Sequence, residues 1–171
     1  EALAFISGHF ETGEPLPPEM LDKMLAAKNF QSAMQMLRQL EFSIFDFTMH
    51  ESYNPNAANN EQHIQSVLDN VRQQYAVVKA PEFNRFQHGF SHIFGGGYSA
   101  GYYSYKWAEV LSADAFGLFE EQGIFDQATG QAFLTNILEK GGSEEPSELF
   151  KKFRGRAPEI DALLRHSGIN H

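Results

Sequence analysis

Residues 98–105 read YSAGYYSY, follow directly on Gly95-Gly96-Gly97, and hold four of the chain's six tyrosines. A phenol with a pKa of about 10 stays protonated at pH 7, so it can donate to an oxyanion without first losing charge. Glycines let the backbone come close to a ligand and turn through conformations that other residues avoid. Hydroxyl donors beside a mobile turn point to a substrate-binding surface. A structural alternative stands beside this reading. On a helix, Tyr98, Tyr102 and Tyr105 would share one face and could serve as core aromatics. Buried phenols need hydrogen-bond partners, however, and three on one face next to a glycine hinge make a costly core. That leaves binding slightly the better reading.

Other chemistries find less support. A zinc hydrolase of the HExxH type needs two helical histidines four apart with a glutamate as general base. His50-Glu51 starts that pattern, but Asn54 stands where the second histidine belongs and Pro55 would break the helix. His50 reads instead as a surface histidine beside a loop. His88 and His92 have helical i, i+4 spacing, yet no carboxylate at ligand spacing completes a site, and Gly89 and Gly95 weaken a helix there. Two unlinked histidines, one of them in a cleft, are expected, and no metal is expected on this chain. No serine sits in a GxSxG elbow. The glycine triplet lacks the Lys-Ser/Thr of a phosphate loop, and no strand precedes it.

The elements that must position these residues read as all-α. Pro15-Leu16-Pro17-Pro18 ends a first segment, and Pro18 opens a helix over 19–28. A longer helix spans Phe30 to His50, apolar nearly all round at Phe42, Phe45 and Phe47, so that this end should be buried. Ser52 to Asn60 is a loop. Glu61 to Val78 carries a stripe of Ile64, Val67, Leu68, Val71 and Tyr75. After Pro81, the rings of Phe83, Phe86 and Phe90 are expected to pin a connection to the body. Gly101 to Glu121 is read as a helix packing through Trp107, Val110, Leu111 and Phe119. Asp126 and Thr129 offer caps for a helix that Gly141-Gly142 stops, and Pro146 and Pro158 each stand near the start of a short helix. No strand alternation and no internal repeat appear. The whole of 1–171 is expected to form one helical domain.

Composition narrows the partners. The formal net charge of -9, with no basic patch, argues against nucleic acid. No apolar run approaches the ~18 residues of a membrane span. The chain has no cysteine, which fits a reducing compartment. A cytoplasmic location is the expectation. The first ten residues, EALAFISGHF, look like the middle or end of a helix rather than a natural start, so the chain reads as a piece of a larger protein.

The stretch FQHGFSHIFGGGYSAGYYSYKWAEVLSADAF at 86–116 closely resembles the C-terminal part of the thimet-oligopeptidase family of zinc metallopeptidases. Further segments resemble the same family: SGHFETGEPLP at 7–17, LDKMLAAKNFQ at 21–31, LRQLEFSIFDF at 37–47, ILEKGGSEEPSELFKKFRGR at 137–156 and IDALLRHSGI at 160–169. The resemblance covers essentially the whole chain. It implies the C-terminal helical lobe of a zincin-like peptidase that hydrolyses short peptides. It further implies a zinc ion whose histidine and glutamate ligands lie upstream, outside this chain. By resemblance, Tyr105 donates to the oxyanion of the scissile carbonyl, and Tyr98 closes over the substrate and shares that role. His92 and Tyr102 bind the substrate backbone, and Gly95, Gly96 and Gly97 let the turn move. Arg154 and Arg156 of FRGR are expected in structural ion pairs. The expected partners are peptide substrates and the missing N-terminal part of the same polypeptide. The chain alone is expected to be inactive and to self-associate through a former interface. A non-catalytic helical peptide-binding module is the alternative. Whether cleavage is internal or removes C-terminal dipeptides depends on residues outside the chain.

Overall fold

Helices account for the regular structure of residues 2–169, the residues described by the computed structural model, and no strand occurs among them. Helix α1 spans Ala2–Ile6. Helix α2, Pro18–Lys28, starts on a proline at its first position, where the missing N–H costs nothing, and buries none of its residues. Helix α3, Ser32–Ser52, is the longest. Helix α4, Asn60–Tyr75, runs beside it. A single turn α5, Phe86–Gly89, and a 3₁₀ turn, Ser91–Ile93, lead to helix α6, Ser104–Gln122. Helix α7, Gln127–Phe133, continues as a π-helical turn over Leu134–Leu138. Helices α8, Pro146–Arg154, and α9, Asp161–His166, complete the described chain.

Apolar faces sort these helices into two packed groups that share α3. Phe45, Met49, Val67, Leu68 and Val71 interlock between α3 and α4, and Phe90 and Ile93 close the cluster. Phe45, Leu68 and Ile93 are wholly buried, and each contributes roughly 1.5–3 kcal/mol of transfer free energy. On the other side, Val110 and Ala113 of α6 meet Ala162 and Leu163 of α9, with Met36 of α3 against them. Ala115 of α6 meets Phe150 and Phe153 of α8, and Phe119, Phe133 and Ile137 fill in around them.

Three carboxylates lie inside this packing, and each is answered. Glu41 accepts from Arg38 and from Arg72 Nε at 3.0 Å. Asp114 on α6 accepts from Arg154 Nε at 3.2 Å, from both terminal nitrogens of Arg156 at 2.7 Å, and from Glu159 N–H at 2.8 Å. Arg154 and Arg156 are therefore structural cations tying α8 and the chain after it to α6. Asp46 on α3 is the third, and it faces the tyrosine segment.

Several expectations need correction. Helix α4 stops at Tyr75, short of Val78, and Val77 and Val78 are exposed. Arg72 Nη2 donates to Asn84 Oδ1 at 3.0 Å and draws the following connection back along the helix. Phe86 and Phe90 pin that connection, but Phe83 is 82% exposed and pins nothing. Phe47 and Trp107, expected in the core, are about half exposed because they lie on the outward sides of α3 and α6. His50 is not a free surface residue: it is half-buried, with Nδ1 2.9 Å from Asp46 Oδ1. Helix α6 begins at Ser104 rather than at Gly101.

A candidate substrate-binding site around the glycine turn

The late start of α6 has a local cause that also builds the site. The N–H groups of Ala100 and Tyr102 point to the buried carboxylate of Asp46, at 2.9 Å from Oδ1 and 2.9 Å from Oδ2. The segment itself closes i→i+3 turns, Gly101 N–H on Tyr98 O at 2.8 Å and Ser104 N–H on Gly101 O at 3.1 Å, and the α-helical ladder begins with Trp107 N–H on Tyr103 O at 3.0 Å. Ala100 sits at φ +53, a left-handed conformation that is uncommon without glycine. Upstream, the N–H groups of Gly95 and Gly96 both donate to Ser91 O, at 2.9 and 2.8 Å, and Tyr98 N–H donates to His92 O at 3.0 Å. Ser99 Oγ donates to Ile93 O at 2.7 Å. The glycine turn is thus folded tightly onto the 3₁₀ turn that carries His92.

The three glycines have different jobs. A Cβ on Gly96 would stand 2.8 Å from His92 Cα and 2.9 Å from its carbonyl oxygen, so only glycine fits there without movement. Gly97 has φ +81. Gly95 has open space around it and no left-handed φ.

This backbone path gathers four rings that the sequence disperses over fourteen positions. Tyr98 and Tyr105 stack at 4.8 Å between centroids and 26° between planes. His92 lies 6.0 Å from Tyr98, 5.8 Å from Tyr102 and 6.4 Å from Tyr105. Tyr102 meets Tyr105 edge-on at 5.2 Å. The cluster therefore comes together through a turn and the first turn of α6, not on one helical face. Its outer members are open: Tyr105 is 40% exposed, and His92 is exposed as well.

Tyr102 forms the inner wall. Its ring packs against Phe90 at 5.0 Å and Phe42 at 5.8 Å, and its hydroxyl donates to Gln39 Oε1 at 3.0 Å. Burial pushes its phenol above the ordinary value, partly offset by the nearby Arg38 cation. Tyr105 is also held above its ordinary value, first by a hydrogen bond with Tyr98 and then by partial burial. Tyr105 is therefore fully protonated at neutral pH and remains a donor.

Sequence reasoning missed Asp46 and Gln39. They lie on the α3 face that holds Phe42, at spacings of three and four residues, and together they take the backbone, ring and hydroxyl of the tyrosine segment. The available signal was a lone carboxylate between Phe45 and Phe47 in a run of apolar residues. His88 and His92 are separated by the end of α5 at Gly89 and do not share a helix. Among the described residues no group of three or more His, Cys, Asp or Glu side chains is placed to hold a metal ion. Nor is any helix among them long and apolar enough to cross a membrane.

Comparison with known proteins places the chain. The family model described as "Peptidase family M3" matches residues 1–169. The chain belongs to peptidase family M3. Oligopeptidase A of Salmonella typhimurium is 63% identical over 169 residues, and oligopeptidase A of Escherichia coli is 62% identical over the same length. Each of these matches covers 99% of this chain and 24% of the relative. Dipeptidyl carboxypeptidase of Escherichia coli is 32% identical over 170 residues. This M3 chain thus spans about a quarter of the length of the curated relatives it matches. The resemblance read from residues 86–116 is borne out, as is the all-α fold.

Proposed function

We propose that the chain is the C-terminal, substrate-binding wall of an M3 peptidase that hydrolyses short peptides, similar to oligopeptidase A. The observation that carries this reading is the stacked pair Tyr98–Tyr105 beside His92 on an open surface. When a nucleophile adds to a peptide carbonyl, negative charge grows on the oxygen, and protonated phenols stabilise it without themselves changing charge. An oxyanion is a stronger acceptor than a neutral oxygen, so both phenol protons can turn toward it. His92 and Tyr102 then serve the peptide backbone. The Tyr102 hydroxyl donates to Gln39, which leaves its oxygen lone pairs to accept a peptide N–H. The turn at Gly95, Gly96 and Gly97 carries Tyr98 toward and away from the bound peptide.

The family resemblance implies a zinc ion in the complete peptidase. The side chains described here do not form a set that fits one, so its ligands belong to the rest of the polypeptide. That remainder would also cover apolar side chains such as Phe5, Phe10, Phe30 and Phe125, each more than 70% exposed here. The test is Tyr105→Phe in the complete peptidase. A fall in kcat of roughly 100-fold with KM and zinc content little changed is expected. An unchanged kcat removes Tyr105 from the chemistry.

A further inference from the structure

The catalytic reading above leaves one group without a role. Asp46 is 1% exposed, sits in the middle of a helix, and spends its acceptors on another segment of the chain. Its Oδ1 accepts from Ala100 N–H and its Oδ2 from Tyr102 N–H. His50, one helical turn further along α3, has Nδ1 2.9 Å from Oδ1, and its hydrogen bond goes to the backbone oxygen of Asp46 at 2.9 Å. A buried carboxylate is costly unless it is hydrogen-bonded, and here its compensation comes from backbone N–H groups of the tyrosine turn. Helix α3 adds two further holds on that turn from the same face. Gln39 takes the Tyr102 hydroxyl, and the Phe42 ring meets the Tyr102 ring.

We propose that Asp46 is a positioning residue: its carboxylate clamps the turn at Ala100 and Tyr102 onto α3 and so sets where the Tyr98 and Tyr105 hydroxyls stand. The inference rests on the substrate-binding reading of that pair. Ala100 shows what the clamp does, because a non-glycine residue at φ +53 is held there only if its surroundings over-determine it. Tyr98 lies two residues before one clamped N–H, and Tyr105 lies three residues after the other. Freeing the turn moves both phenols at once. Asparagine at position 46 would keep the size of the side chain but replace one acceptor oxygen with an NH₂ group, so one of the two N–H groups would lose its partner.

The experiment uses the complete peptidase carrying Asp46→Asn, Tyr98→Phe/Tyr105→Phe and all three changes together. Asp46→Asn alone is expected to lower kcat roughly 10- to 100-fold with little change in KM, because misplacing a catalytic group by about an ångström costs that much. Added to the double variant Tyr98→Phe/Tyr105→Phe, it should cost less than about threefold more, since both phenols through which it acts are then removed. Two losses that multiply, or an unchanged kcat in Asp46→Asn, would overturn the positioning role. Backbone amide exchange reads the clamp without any chemistry. Ala100 and Tyr102 should exchange slowly in the unsubstituted peptidase, and at least about tenfold faster in Asp46→Asn, with Val67 to Val71 of α4 unmoved. Fast exchange of both amides in the unsubstituted peptidase overturns the clamp even if the variant does not fold. Should Tyr105→Phe keep full activity while the exchange result holds, the oxyanion reading fails and the clamp stands.

Discussion

Replacing Gly95, Gly96 and Gly97 one at a time by alanine separates the three jobs seen in the turn. At Gly96 the new methyl group would stand 2.8 Å from His92 Cα and 3.1 Å from Ser91 O, both backbone atoms. The first distance is roughly 0.7 Å inside the ~3.5 Å optimum of a carbon pair. Neither contact is with a side chain that could swing away. The turn must open, at a cost of about 1–3 kcal/mol, the range for overpacking a tight site. Opening it also moves His92, whose carbonyl receives the Tyr98 N–H, so kcat should fall about tenfold or more. At Gly97 the alanine meets no atom, and the cost is the left-handed φ of +81, about 1 kcal/mol. At Gly95 it meets nothing and needs no left-handed φ, so the change should be neutral or stabilise by about 0.4–1 kcal/mol. The assay is thermal unfolding and steady-state hydrolysis of a quenched fluorescent peptide by the complete peptidase. The order of damage should be Gly96, Gly97, Gly95. Gly95→Ala as harmful to stability as Gly96→Ala would refute the reasoning from close contact.

Further outcomes follow from the same contacts. Asp114→Asn should destabilise the protein by about 2–4 kcal/mol in denaturant unfolding, because it removes a buried charge from two arginines. Burial raises the Asp114 carboxyl, but Arg156, the Glu159 N–H and Arg154 outweigh it and hold the group below its ordinary value. A depressed carboxyl contributes stability above its unfolded pKa of about 3.9 and loses it as pH falls through the folded value. Asp114→Asn should therefore flatten the acid limb of the stability profile below about pH 4, and an unchanged limb would count against the ion-pair account. Asp126→Ala removes the cap that accepts from Thr129 N–H at 2.7 Å and should cost about 1 kcal/mol, read from the unfolding midpoint. The isolated chain should self-associate through its exposed phenylalanines, and sedimentation as a monomer at tens of micromolar would contradict that.

What could be read from the sequence was local and periodic. The stripe from Ile64 to Val71 gave the buried face of α4, Pro18 and Pro146 opened helices, and Asp126 capped one. The errors fall where one segment answers another. Helix α6 is expected from Gly101, but the turn ahead of it is held to Asp46, fifty-odd residues upstream, with Ala100 in a left-handed conformation that no helix contains. Phe47 and Trp107 count as core in an apolar tally, yet nothing in their own neighbourhoods reveals which side of α3 or α6 stays uncovered. His50 looked like a surface residue because nothing in its own neighbourhood reveals the contact with Asp46 one helical turn back. The tyrosine cluster was legible as composition. Its assembly around His92 depended on a glycine turn whose path only the clamp and the close approach at Gly96 define.

The half-exposed Trp107 gives this chain a built-in optical reporter. It is the only tryptophan in the sequence and stands two residues beyond Tyr105 on the opening turns of α6. Indole emission responds to the polarity of its surroundings, and a ring only half covered has room to respond in either direction. Tyrosine excitation feeds the same emitter from the stacked pair nearby. Docking of a peptide, or of the remaining polypeptide, against the start of α6 can thus be followed by fluorescence without attaching a dye. A Trp107→Phe chain supplies the dark control.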